Sequence, residues 1–279
     1  MEAYYQKAPL LVLTADRPPE WIDQGDGQTI RQQNIYANYV KASYNLSDRI
    51  ESETDEWFAM RVLNQAVNDL LYPEMGPVHI NVPFAEPLYE LVDEKAPEIR
   101  NITLHDAQRI LPEKKLRAFA EIWRGHPRRM ILAGQMPPGG NLGALLNDLA
   151  ADPSVAVLTE TISNVSGDRL NSRIDNVLSA VSDEQAYRPD LLVTLGGQVV
   201  SKKIKIFLRK NRPAVHWHLS PSGEHMDTFM SLTDVIPADT VPFLEFLKNQ
   251  ALPGDSDYGE KWRALDLATQ RKNADYLAK

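Results

Sequence analysis

The chain has 279 residues, of which 43% are apolar, 24% charged and 8% aromatic, and a formal net charge of −8. That composition excludes disorder, collagen-like repeats and low-complexity tracts, and no apolar run approaches the roughly 20 residues of a membrane span, so a soluble cytoplasmic protein is expected. The absence of cysteine removes disulfides, thiolate metal sites and a cysteine nucleophile, while the acidic balance argues against nucleic acid as a partner.

In chain order, Glu2 to Lys7 reads as the end of a helix. Pro9 to Ala15 is a near-continuous apolar run, the pattern of a strand buried on both faces, and Asp16-Arg17-Pro18-Pro19 stops it. From Asp55 to Leu71 the residues Trp57, Phe58, Val62, Leu63, Ala66, Val67 and Leu70 recur at helical spacing. Pro77 to Pro83 then returns as a second strand. Two strands and one helix cannot cover both faces of a parallel sheet, so the chain is expected to begin partway through an α/β domain. Residues 93–111, acidic and Pro-containing with little periodicity, read as a linker.

A regular alternation follows over 112–251. Strands are expected at 129–134, 155–159, 191–195, 214–219 and 232–236, and helices at 141–150, 173–181, 201–210 and 240–249. This predicts a Rossmann-like open parallel sheet of five or six strands with helices on both faces. Residues 252–279 break the pattern with Pro-Gly-Asp-Ser-Asp and end in a polar helix that reads as leading elsewhere.

Three segments carry candidate chemistry. The loop Gly134 to Gly143 sits where a phosphate-binding loop would, but it matches neither GxGxxG nor a P-loop. A strand-to-helix turn is the favoured reading there. After the strand ending at Leu195, Gly196-Gly197 lies where open α/β sheets gather ligands. Lys202 and Lys203 would occupy the first turn of the next helix, where each opposes the macrodipole by several tenths of a kcal/mol unless an anion lies nearby. An anionic ligand and a merely solvated basic face both account for them. Arg17, at the carboxyl end of its strand, and Gln28, after Gly25 and Gly27, form the third segment, with a structural ion pair to Asp16 or Glu20 as the plainer role for Arg17. The six histidines include no HxxxH or HExxH pair, so no metal site is expected.

The run TADRPPEWIDQGDGQTIRQ and the run GPVHINVPFAEPLY, beginning at Gly76, closely resemble the 2-succinyl-5-enolpyruvyl-6-hydroxy-3-cyclohexene-1-carboxylate synthase family, thiamine-diphosphate-dependent enzymes of menaquinone biosynthesis. Residues 110–250, with GGQVVSKK, extend the likeness over nearly the whole chain. The resemblance implies that residues 1–92 form the rear of a pyrimidine-binding domain, 112–251 a central domain, and 252–279 a linker toward a diphosphate-binding domain. It further implies a transferase that decarboxylates 2-oxoglutarate on the cofactor and adds the succinyl unit to isochorismate. Family substrate contacts map onto Arg17, Gln28, Lys202 and Lys203: Arg17 can clamp a carboxylate bidentately, Gln28 can orient a hydroxyl or carboxylate, and the lysines supply point charges. Gly27 stands where family members often carry Asn, and Lys203 where an arginine can occur. Gly25-Asp26-Gly27 is not the family's magnesium-binding GDG motif, which belongs to a different domain.

By the same resemblance, the cofactor-activating glutamate and the magnesium motif fall outside this segment. The chain is therefore expected to be a fragment with no catalytic residue of its own, inactive alone, binding neither thiamine diphosphate nor magnesium tightly, and self-associating through residues 1–90. The rival expectations are a freestanding module that binds a nucleotide or anionic metabolite, and a scaffold or oligomerisation domain.

Overall fold

The computed structural model describes residues 1–85, 98–250 and 256–278. They divide into two units, Met1–Ala107 and Gln108–Lys279. The division falls within the stretch read as a linker. Residues before it lie along the first unit, where Asn64 Nδ2 donates to Arg100 O at 3.0 Å and Asn68 Nδ2 to Ile102 O at 2.9 Å. Just after it, Arg109 N donates to Asp239 Oδ2 at 3.0 Å within the second unit.

In the first unit a short helix α1 (Glu2–Tyr5) precedes β1 (Leu11–Asp16), β2 (Ala42–Asn45), α2 (Glu53–Leu71) and β3 (Val78–Pro83). The strands form a parallel sheet in the order β1-β3-β2. Ser52 caps α2 by accepting from Asp55 N, so the helix begins two residues before the periodic pattern does. The sequence reading missed β2, whose four residues include the polar Ser43 and Asn45.

It also placed β1 between two buried faces, and the structure corrects this. Strand β1 is a sheet edge, and Leu13 is 61% exposed. The reason is the reach of α2, which packs on β3 and β2. Side chains alternate across a strand, so Val78, Ile80 and Val82 share one face with Leu11, Ala42 and Tyr44 and meet Ala66 of α2. The opposite face is polar. It carries His79 and Asn81 of β3, Ser43 and Asn45 of β2, and Thr14 and Asp16 of β1.

The second unit runs α3 (Glu113–Gly125), β4 (Arg129–Ala133), α4 (Leu142–Leu149), β5 (Val155–Thr159), α5 (Ile174–Ala180), β6 (Leu191–Leu195), α6 (Lys202–Lys210), β7 (Val215–Leu219), β8 (Asp234–Ile236), α7 (Thr240–Gln250) and α8 (Tyr258–Leu277). Its five strands are all parallel, in the order β5-β4-β6-β7-β8. Strands β4, β5 and β6 are buried at every position, which is why they read as unbroken apolar runs. Two cores result. Ile131, Val157 and Val193 face Trp123 of α3, Leu146 of α4 and Leu244 of α7. Met130, Ala156 and Leu192 face Val177 of α5, Phe207 of α6 and Trp262 of α8.

Helix α8 packs onto this second core rather than leading away from it. Gly259 N donates to Pro153 O at 2.7 Å, and a Cβ on Gly259 would stand 2.2 Å from Val155 O. Only glycine permits that approach. Arg173 Nη2 then holds Asp266 Oδ2 at 2.7 Å. Among the described residues, no helix is long and apolar enough to cross a membrane.

Candidate functional site

In the first unit the polar sheet face and the loop after β1 form one hydrogen-bonded assembly. Asn81, 2% exposed, is its centre. Its Nδ2 donates to Asp16 Oδ2 at 2.8 Å and to Asn45 Oδ1 at 2.7 Å. Its Oδ1 accepts from Gln32 Nε2 at 2.8 Å and from Thr14 Oγ1 at 3.2 Å. Two donations and two acceptances exhaust what an amide side chain can do. His79 extends the network, with Nε2 2.7 Å from Thr14 Oγ1 and Nδ1 3.0 Å from Ser43 Oγ. Because Thr14 gives its proton to Asn81, the imidazole presents Nε2–H to Thr14, and in the neutral ring Nδ1 is then the acceptor for Ser43 Oγ. Burial favours that form and lowers the His79 pKa.

Asp16 joins this network to Arg17. Its Oδ1 accepts from Arg17 N at 2.9 Å, while Arg17 Nη2 meets Asp26 Oδ2 at 3.0 Å. One ion pair of Arg17 is thus with Asp26, across the loop, a partner that the sequence reading did not name. Gln28 lies on the same loop in a left-handed conformation, φ +61°, with an exposed side chain that makes no hydrogen bond to a described residue. Arg17 thus already holds a carboxylate at the carboxyl end of a parallel strand, and Gln28 points no polar group at any described partner.

In the second unit Lys202 and Lys203 occupy the first turn of α6, as the sequence places them. The anion that the macrodipole argument calls for comes from the chain itself. Glu160, just past β5, accepts from Val200 N at 2.7 Å and Ser201 N at 2.6 Å. Asp175 of α5 accepts a hydrogen bond from Ser201 Oγ, and Lys203 Nζ reaches Asp175 O at 3.2 Å and Ser179 Oγ. Lys203 therefore ties α6 to α5, while Lys202 is exposed and pairs with no described residue. Glu160, Asp175 and Ser201 line a cavity of about 310 Å³ together with Thr159 and Arg173, and neither lysine is among its lining residues.

The crevice where the order of β4 and β6 reverses is the usual ligand position of a doubly wound sheet. Here the two loops close it on each other. Gln135 N donates to Gln198 O at 3.0 Å and Gly197 N to Gln135 O at 2.7 Å. A Cβ on Gly134 would lie 2.1 Å from Gly197 O, so that glycine serves backbone approach.

Fold and site together define a parallel α/β protein, one unit doubly wound, with carboxylate-binding groups at strand carboxyl ends. No family model matches the chain. Curated relatives do, and all three of the following bear the name 2-succinyl-5-enolpyruvyl-6-hydroxy-3-cyclohexene-1-carboxylate synthase. The Porphyromonas gingivalis protein is 38% identical over 99% of this chain and 48% of its own length. That of Flavobacterium psychrophilum is 38% identical over 90% and 46%, and that of Desulfotalea psychrophila 36% identical over 99% and 52%. The chain is homologous to these synthases along nearly its whole length, and it spans about half the length of the curated relatives it matches.

Sequence reasoning named Arg17, Gln28, Lys202 and Lys203 but not Asn81, His79, Glu160 or Asp175. A signal for the first two exists, since His79 and Asn81 alternate in an otherwise apolar strand.

Proposed function

We propose that the chain is part of a synthase that decarboxylates 2-oxoglutarate and joins the succinyl unit to isochorismate in menaquinone biosynthesis, with thiamine diphosphate and magnesium as its cofactors. The observation that carries this reading is identity of 36–38% with the named synthases over nearly the whole chain. It is a transferase reading, and it places the protein in the cytoplasm with small dianionic substrates, no nucleic acid and no membrane.

Among the described residues no three His, Asp or Glu side chains converge as metal donors. What this chain supplies is substrate binding. Arg17 exchanges the Asp26 carboxylate for a substrate carboxylate, and exposed Gln28 offers an amide to orient a neighbouring oxygen. Lys202 adds a point charge, whereas the bonds of Lys203 to α5 favour a structural part for it. The freestanding-module reading has less support, because backbone pairing fills the reversal crevice.

The test takes the polypeptide encoded by the reading frame that contains this segment and measures carbon dioxide release with 2-oxoglutarate, isochorismate, thiamine diphosphate and magnesium. Release that depends on both organic substrates and is lost in Arg17→Ala supports the reading; indifference to isochorismate or to Arg17 refutes it. The 279-residue chain by itself is expected to show no turnover and no micromolar cofactor binding by calorimetry.

A further inference from the structure

Three strand ends and a loop of sixteen residues, Arg17 to Gln32, converge on one amide side chain. Asn81 touches β1 through Asp16 and Thr14, β2 through Asn45, and the far end of the loop through Gln32. Gln32 Nε2 also donates to Ala15 O at 2.7 Å, so the returning loop is stitched to the strand from which it left. The first residue of the loop is fixed by the same route, because the oxygen of Asp16 that Asn81 leaves free accepts from Arg17 N. Both ends of the loop are thereby anchored to one buried side chain, while its interior residues Gly25, Gly27 and Gln28 are exposed.

We propose that Asn81 is the positioning residue of the Arg17–Gln28 loop, holding both loop ends in register so that the Arg17 guanidinium and the Gln28 amide face one carboxylate-bearing substrate. This rests on the reading of Arg17 and Gln28 as substrate contacts. Asn81 lies behind the loop and acts through Asp16 and Gln32. Its requirement is specific: a side chain that donates to a carboxylate on one side while accepting from an amide and a hydroxyl on the other. Leucine matches its size but neither function, and aspartate cannot donate when ionised.

The polarity of the Asp16–Asn81 contact can be reversed without changing net charge. In the double variant Asp16→Asn, Asn81→Asp, the amide at position 16 can still accept from Arg17 N through Oδ1 and donate through Nδ2 to the new carboxylate, which continues to accept from Gln32 and Thr14 and accepts from Asn45 once that amide flips, giving up its bond to Leu46 O. The experiment measures tryptic cleavage after Arg31 beside cleavage after Arg61 on α2, and 2-oxoglutarate binding by NMR titration. Asn81→Asp alone sets two carboxylates against each other and is expected to accelerate Arg31 cleavage at least tenfold with little change at Arg61. Any 2-oxoglutarate affinity weakens in parallel, and the double variant restores both.

Gln32→Met, which leaves the strand-to-strand bonds of Asn81 intact, is expected to loosen the loop end and speed cleavage after Arg31 similarly, and decides the matter if an Asn81 variant does not fold. Cleavage at Arg31 that is unchanged in Asn81→Asp and Gln32→Met, or that rises equally at Arg61, overturns the proposal, as does a double variant no better than the single ones. If the loop responds as expected but 2-oxoglutarate binding is absent, or is indifferent to Arg17→Ala, the positioning role stands and the substrate reading fails.

Discussion

Acidification tests the buried polar patch of β7. His216 is fully buried, its Nε2 3.0 Å from Thr194 Oγ1 and its Nδ1 3.1 Å from Ser231 Oγ, with the ring of Phe229 tilted beside it. Burial is the main reason its pKa falls from 6.5 to about 4, with Asp227 opposing the fall and His218 adding to it. Between those two values the unfolded chain binds a proton that the folded chain refuses, so folding stability is full above pH 6.5 and declines as pH drops toward 4. At 1.36 kcal/mol for each pH unit, the loss from this one group is about 3 kcal/mol across the window. That is a large share of the 5–15 kcal/mol typical of a domain.

The assay is urea unfolding at half-unit steps from pH 7.5 to 4, followed by tryptophan fluorescence and circular dichroism and repeated with His216→Gln, whose amide can reach Thr194 but cannot titrate. The variant is expected to begin less stable at pH 7.5 and to lose roughly 3 kcal/mol less than the parent on acidification. Parallel pH profiles for the two proteins refute the reasoning, as does an NMR titration placing His216 above pH 6.

Gly134→Ala forces a Cβ into Gly197 O, 2.1 Å away, and overpacking of this kind is expected to cost about 1–3 kcal/mol in urea midpoint measurements. Glu160→Ala strips two backbone N–H groups of a charged acceptor at the start of α6 and is expected to destabilise the second unit by about 2–4 kcal/mol, with Glu160→Gln recovering part of it. Trp262→Ala removes a fully buried indole from the contact of α8 with the sheet and is expected to cost about 3–5 kcal/mol, with early hydrogen exchange along α8. Leu13, Trp57, Val67 and Leu71 leave apolar surface exposed on the first unit, so the chain is expected to sediment as an oligomer that Leu13→Lys with Val67→Lys dissociates; a monomeric parent contradicts this.

The second unit was legible because burial on both faces writes itself as apolar runs. Arg129–Ala133, Val155–Thr159 and Leu191–Leu195 need no context to be read as buried strands. Strand β2 was not, since half of its residues are polar and earn their place through His79 and Asn81, partners more than thirty residues away. The edge position of β1 was equally hidden. Leu11 and Leu13 look alike in sequence, and only the reach of α2 leaves one covered and the other bare. At the α6 terminus the macrodipole argument left an anionic ligand and a solvated basic face equally open; the carboxylate that meets the helix start, Glu160, lies some forty residues upstream, and nothing local to Lys202 identifies it. Arg17 was singled out from its motif, while its pairing with Asp26 depends on how the loop turns.

The pairing of Arg17 with Asp26 has a consequence for how salt acts on ligand capture. A guanidinium waiting in water gains a new charge pair when it takes up a carboxylate, and dissolved ions screen that gain across a Debye length of about 8 Å at physiological strength. On the reading of Arg17 as a substrate contact, it instead trades the Asp26 carboxylate for another, so screening weakens the pair that is given up as well as the pair that is made. Affinity that runs through Arg17 is then set by the difference between two similar contacts and stays nearly level as salt rises. A ligand with a single carboxylate gains little from such an exchange, and discrimination passes to whatever its remaining atoms find around the loop.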